Sequence, residues 1–151
     1  MQNEEHDNLM IVLKKAAAFH GHLGPFLAIG VRMGLLALER FAAEIDNHDE
    51  LQTTVMIPLR TPFSCIIDGI QTTTLCTIGN RKLKVNATSS NFSARFKSKA
   101  TKRKVTISLQ KRLLEELQKE LTPYLSDLDL QKLALRVAAM SEEHLFSVKD
   151  E

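Results

Sequence analysis

The segment Phe19-His20-Gly21-His22-Leu23-Gly24-Pro25 constrains this chain more than any other. Two imidazoles sit either side of one glycine, and residues two apart on a helix point in different directions. Both rings can face one point only if the chain turns between them. Gly21 permits the backbone angles of such a turn. Pro25 suits the first position of a following helix, where its missing N–H would have no partner anyway. The pattern predicts a helix ending near Phe19, a tight elbow carrying two His, and a second helix from about Pro25.

The elbow fixes what flanks it. Asp7 or Asn8 can cap a first helix, with Leu9, Leu13, Ala16 and Ala17 on one face. The second helix, about Pro25 to Ala43, is apolar on most sides and belongs inside a domain or at a subunit contact. Gly30 and Gly34, four apart, allow another backbone to come close, and core packing is the favoured reading of them. The run Ala16 to Leu38 raises the question of a membrane span. His20, His22, the Gly24-Pro25 break and Arg32 argue against one. The acidic, polar N-terminus does not read as a signal peptide. Two cysteines in 151 residues make no disulfide framework and fit a reducing cytosol, so a cytoplasmic location is expected, although one bridge between them stays open.

Farther along, Asp46 to Glu50 reads as a polar loop and Leu51 to Leu59 as a strand that Pro58 ends. Thr61-Pro62 resembles a cap and first-turn proline, opening a short helix to about Thr72 with Ile66, Ile67 and Ile70 facing the core. Residues 72–80 form a polar turn with its corner at Gly79-Asn80. Period-two alternation over 82–109 predicts three strands in a meander. Leu113, Leu114, Leu117 and Leu121 mark another helix, stopped at Thr122-Pro123. Ser126 or Asp127 caps a last one, with Leu130, Leu133, Val137 and Met140 inward, and the tail from Lys149 is expected to fray.

Four side chains are candidate soft-metal ligands: His20, His22, Cys65 and Cys76. Their spacing is not that of a zinc finger, so position carries more weight than spacing. Cys65 falls in a first helical turn, which favours the thiolate that binds metal. Cys76 lies in a polar turn, where burial as a small hydrophobe is less expected. Buried structural thiols remain the favoured alternative for each cysteine, and for the two histidines a site and a structural role stand level. Asp68, one turn beyond Cys65, must be paired or functional if buried. It can be a ligand, hold a histidine tautomer, move a proton, or pair with Arg32. From Arg81 to Arg112 every charged residue is Lys or Arg. With few aromatics for stacking, a solvated strand face or a site for an anionic small molecule is favoured over nucleic acid.

Two blocks, Phe19-His20-Gly21-His22-Leu23-Gly24-Pro25 with Ala28-Ile29-Gly30-Val31-Arg32-Met33-Gly34, and Cys65-Ile66-Ile67-Asp68-Gly69-Ile70-Gln71 with Thr74-Leu75-Cys76-Thr77-Ile78-Gly79-Asn80, resemble the FmdE/FwdE-like family of formylmethanofuran dehydrogenase components. The resemblance implies one α+β domain over 1–151, with helices on one side of a mixed, mostly antiparallel sheet, as in the C-terminal domain of glyceraldehyde-3-phosphate dehydrogenase. It implies a homodimer and a divalent metal, zinc being the expected ion, held by His22, Cys65 and Cys76, with His20 close by and Asp68 in reach. If the chain is catalytic, Asp68 or His20 would move the proton. If it is not, it would serve as an accessory or metal-delivery component of a larger molybdenum or tungsten redox enzyme. The chain departs from the family pattern at Gly24, where some members have Cys, at Gly69, usually Ala, and at Leu75, usually Gly. It also ends without the cysteine-rich zinc ribbon that some members carry.

Overall fold

The computed structural model describes residues 2–45 and 50–151. The expected loop from Asp46 lies outside the described residues except for Glu50. In chain order the elements are α1 (Gln2–His20), α2 (Pro25–Arg40), β1 (Leu51–Ile57), α3 (Cys65–Thr74), β2 (Leu83–Ala87), β3 (Ser93–Ser98), β4 (Lys104–Leu109), α4 (Lys111–Glu120), α5 (Asp127–Ala138), α6 (Glu142–Leu145) and β5 (Phe146–Asp150).

The elbow forms as its residues demand. Gly21 takes φ +110°, and its N–H closes the last turn of α1 on Ala17 at 2.7 Å. Gly24 is the extended N-cap of α2, and Pro25 opens that helix. α1 starts five residues ahead of the expected cap. α2 is buried from Pro25 to Val31 and again through most of its second half, because α3 crosses it closely. The crossing is made of glycine. A Cβ on Gly30 would stand 2.2 Å from the Ile66 carbonyl oxygen, and one on Gly69 would stand 2.5 Å from that of Leu27.

The five strands run in the order β2-β1-β3-β4-β5. β1 pairs parallel with β2, and every other pair is antiparallel. The expected meander of three strands is therefore corrected. β1 inserts between β2 and β3, because parallel neighbours need a crossover and α3 supplies it. The terminal tail is corrected as well: residues 146–150 pair with β4 as a fifth strand. Arg103 anchors that strand, binding the Asp150 carboxylate with two nitrogens and reaching the Arg40 carbonyl at the end of α2 and Glu44 just past it.

One sheet face carries Leu51, Val55, Ile57, Phe96, Val105 and Ile107, all buried against the helices. The other face is polar. The helix after β1 begins at Cys65, three residues later than Thr61-Pro62 suggested, and that peptide is cis. Ser126 caps α5 through a reciprocal capping box with Asp129. Leu133 and Val137 face inward as expected, while Leu130 and Met140 are half-buried. Among the described residues no helix is long and apolar enough to cross a membrane.

Candidate metal centre

The last residue of α1, the elbow and the first turn of α3 meet at one corner of the molecule. His20 Nδ1 lies 2.6 Å from Asp68 Oδ2. An ionised carboxylate only accepts, so Nδ1 carries the proton, and Nε2 keeps its lone pair while the ring is neutral. Gln71 donates to the other Asp68 oxygen at 3.2 Å, which fixes the carboxylate from its far side. The His22 ring stands beside His20, centroids 5.0 Å apart and planes tilted by 33°. His22 also lines a cavity of about 60 Å³ together with Cys65, Pro25, Phe26, Pro62 and Leu121. His22 is exposed and Cys65 is buried, so the cavity has one wet and one dry wall.

The Cys65 thiol does not behave as its place in a first turn suggested. Burial pushes its pKa up, and the Asp68 carboxylate pushes it the same way; a backbone hydrogen bond opposes them to a lesser extent. The helix terminus favours a thiolate, but here the local carboxylate and the loss of water win.

Cys76 lies elsewhere. It follows the far end of α3, and the rise of the helix between Cys65 and Thr74 is about 13 Å. Its thiol is fully buried and donates to the Leu51 carbonyl at 3.2 Å. Two sulfurs on one zinc ion sit within roughly 4 Å of each other, so the structure does not bring Cys76 to the His22–Cys65 cavity. Both cysteines are free, which settles the open question of a bridge. Asp68 does not pair with Arg32: that guanidinium donates to the carbonyls of Ala138 and Met140 at the end of α5. Thr72, Thr73 and Thr74 spend their hydroxyls on carbonyls one turn back. Among the described residues no three His, Cys, Asp or Glu side chains are placed as a finished metal site.

The donor chemistry at the corner nevertheless suits a borderline-soft cation. Two imidazoles bound to one tetrahedral zinc have ring centroids roughly 5 Å apart, the separation seen for His20 and His22. The Asp68–His20 contact is the outer hydrogen bond that metal-ligating histidines commonly make. The fold thus gathers His20, His22, Cys65 and Asp68 and leaves Cys76 apart. His20, with its Nδ1 fixed, is the better oriented of the two imidazoles.

The basic stretch makes a face of its own. Strand register sets Lys84, Thr54, Arg95, Thr106 and Lys149 in one row across the open side of the sheet. Gln52, Lys97 and Lys104 form the next row.

Comparison with known proteins bears on the family and the fold. The family model described as "FmdE, Molybdenum formylmethanofuran dehydrogenase operon" matches residues 19–147. The chain belongs to the FmdE family. It superposes on an FmdE-like protein of tungsten formylmethanofuran dehydrogenase type from Syntrophus aciditrophicus with a TM-score of 0.65, over 95% of this chain and 71% of that one. At 20% identity that likeness speaks for the α+β fold. A probable S-adenosyl-L-methionine-binding protein from Archaeoglobus fulgidus is 38% identical over 72 residues, which are 48% of this chain. The matched stretch is 19% of that relative's length.

Proposed function

We propose that this member of the FmdE family binds a divalent metal, zinc being the expected ion, at the corner formed by His20, His22 and Cys65. The observation that carries this reading is the Asp68–His20–His22 arrangement: one ring oriented by a carboxylate, the second 5.0 Å away. Asp68 holds His20 in the tautomer whose Nε2 is free. His22, at the exposed side, has room to turn toward the Cys65 wall of the cavity. Three protein donors leave a fourth position for water or substrate. A bound ion would supply Lewis acidity and a nucleophilic water at neutral pH. Asp68, sharing the His20 proton, is the group placed to take or return one. The buried Cys65 wall, with Pro25, Phe26 and Leu121, keeps bulk water off that side.

The test is zinc titration of chelator-treated protein with elemental analysis after gel filtration. One equivalent of zinc is expected in the parent chain and in Cys76→Ser. Cys65→Ser and His22→Ala are expected to lose it. A parent chain that retains no zinc, or a Cys65→Ser protein that retains all of it, overturns the reading. The family description also favours a larger molybdenum redox enzyme as partner, with a tungsten enzyme as its counterpart in the similar structure, and co-purification of such an enzyme with the tagged chain from its native cells tests that.

A further inference from the structure

A second cavity, about 400 Å³, lies where the parallel strands β1 and β2 end. Most of its lining comes from three places. Pro58, Arg60 and Phe63 follow β1; Ser89 and Ser90 follow β2; Lys111, Leu114 and Gln118 belong to α4. In open α/β sheets, ligands bind in the crevice outside the carboxyl ends of parallel strands, and β1–β2 is the parallel pair of this sheet. The volume lies within the range of small-molecule sites.

The walls differ in chemistry. One is apolar and rigid. Phe63 and Phe92 meet edge to face with centroids 5.0 Å apart, and Phe26 backs Phe63 at 5.2 Å. Leu109 and Leu114 complete that wall. The other is cationic. The Arg60 guanidinium lies 5.1 Å above the Phe63 ring and makes no ion pair among the described residues. Lys111 makes none among them either, although Glu115 follows it one turn on. No carboxylate lines the cavity among the described residues. The hydroxyls of Ser89 and Ser90 have no partner among them. At the start of α4 the N-cap residue, Gln110, turns its amide away to the carbonyls of Glu143 and Phe146, and the first turn holds no acid. Two unpaired cations, two free hydroxyls and a dry aromatic floor are the complement of a small anion with a flat apolar body.

We infer that this cavity binds a small molecule with a phosphate or carboxylate head and an aromatic or similarly flat body. The head lies between Arg60, Lys111 and the two serines, and the body lies on Phe63 and Phe92. None of these residues belongs to the proposed metal centre, so the two readings stand or fall separately.

Phenyl phosphate and benzoate are the probes, added to ¹⁵N-labelled full-length protein in a chelator so that no metal takes part. Saturable amide shifts are expected at Ser89, Ser90 and residues 111–113. The better aryl anion should bind about tenfold or more tighter than inorganic phosphate, since the ring is buried on binding. Whichever head binds tighter supports the site and names its chemistry. Arg60→Gln and Lys111→Gln, both at exposed positions, should each weaken that binding about tenfold. Arg112→Gln, next along the same helix but outside this cavity, should not. Shifts spread over the basic sheet face, inorganic phosphate binding as tightly as phenyl phosphate, or full affinity in both lining variants would overturn the inference.

Discussion

Gly30→Ala isolates what the crossing of α2 and α3 contributes. The added methyl would lie 2.2 Å from the Ile66 carbonyl oxygen and 2.9 Å from its carbon. Ordinary contact starts at 3.4 Å, so the shortfall is 3.4 − 2.2 = 1.2 Å. The atoms in the way are backbone, in the first turn of α3, so no rotamer change can clear them. α2 and α3 must part by about 1 Å or bend. Overpacking of this kind costs roughly 1–3 kcal/mol and sometimes more. Replacing a helical glycine by alanine returns about 1 kcal/mol of propensity. Backbone collision puts the steric cost at the upper end, so a net loss of about 2 kcal/mol is expected. In a domain of this size that lowers Tm by roughly 4–8 °C. Urea unfolding followed by far-UV circular dichroism gives the number directly. Gly79→Ala is the control, because its nearest neighbour would be Thr77 Oγ1 at 3.8 Å. Because the crossing also sets Cys65 and Asp68 against the elbow, Gly30→Ala should weaken zinc binding too. A Gly30→Ala protein as stable as the parent would refute the claim that this contact is tight.

Other perturbations read other parts of the molecule. Leu75 ends α3 in the left-handed region at φ 59°, half exposed, a conformation that glycine adopts without strain. Leu75→Gly should raise stability by about 1 kcal/mol, measured by the same urea curves, and a loss would show that Leu75 packs usefully. Asp68→Asn keeps the shape but frees the His20 tautomer. Zinc affinity should fall about tenfold or more with the melting temperature little changed, and unaltered affinity would remove Asp68 from the site. In acid, Glu44 is held below its ordinary value of 4.5 by Thr101 and Arg103, and Asp150 below 3.8 by Arg103. Depressed folded values mean that the unfolded chain takes up protons first. Stability is then full above the ordinary carboxylate range and drains away as pH falls through and below it. Arg103→Leu should flatten that acid slope, and an unchanged slope in thermal melts between about pH 6 and 3 would show that other carboxylates set it.

Local patterns carried much of the architecture. Gly21 and Gly24-Pro25 marked the elbow because each does something other residues do badly: one reaches positive φ, the other starts a helix without a donor. The alternation in β3 and β4 marked a sheet with one dry face. Strand order was harder, because alternation gives the face of a strand and not its neighbour. The clue lay in connection rather than in periodicity. A strand at 51–57, a helix at 65–74 and a strand at 83–87 make a crossover unit, and that predicts parallel pairing of the outer two. The tail is hard to read for a related reason. Ser147-Val148-Lys149 alternates too briefly to declare a strand, and only the β4 edge and Arg103 make it one.

The crossover unit also explains why the two candidate sites differ in legibility. The larger cavity lies at the carboxyl ends of β1 and β2, and the metal corner takes Cys65 from the first turn of the helix that follows β1. The metal corner is built from histidine, cysteine and aspartate, residue types whose chemistry shows wherever they stand. Yet residue type could not separate Cys65 from Cys76, because a helix of ten residues puts its two ends in different surroundings. Cys65 begins that helix beside His22, and Cys76 follows its end under β1. The larger cavity is built from Arg60, Phe63, Ser89 and Lys111, residues that recur on any protein surface. Their meaning comes from convergence alone, and convergence is set by strand order. A meander would scatter these four side chains, whereas the parallel β1–β2 pair sets the ends of both strands side by side and closes the cavity between them.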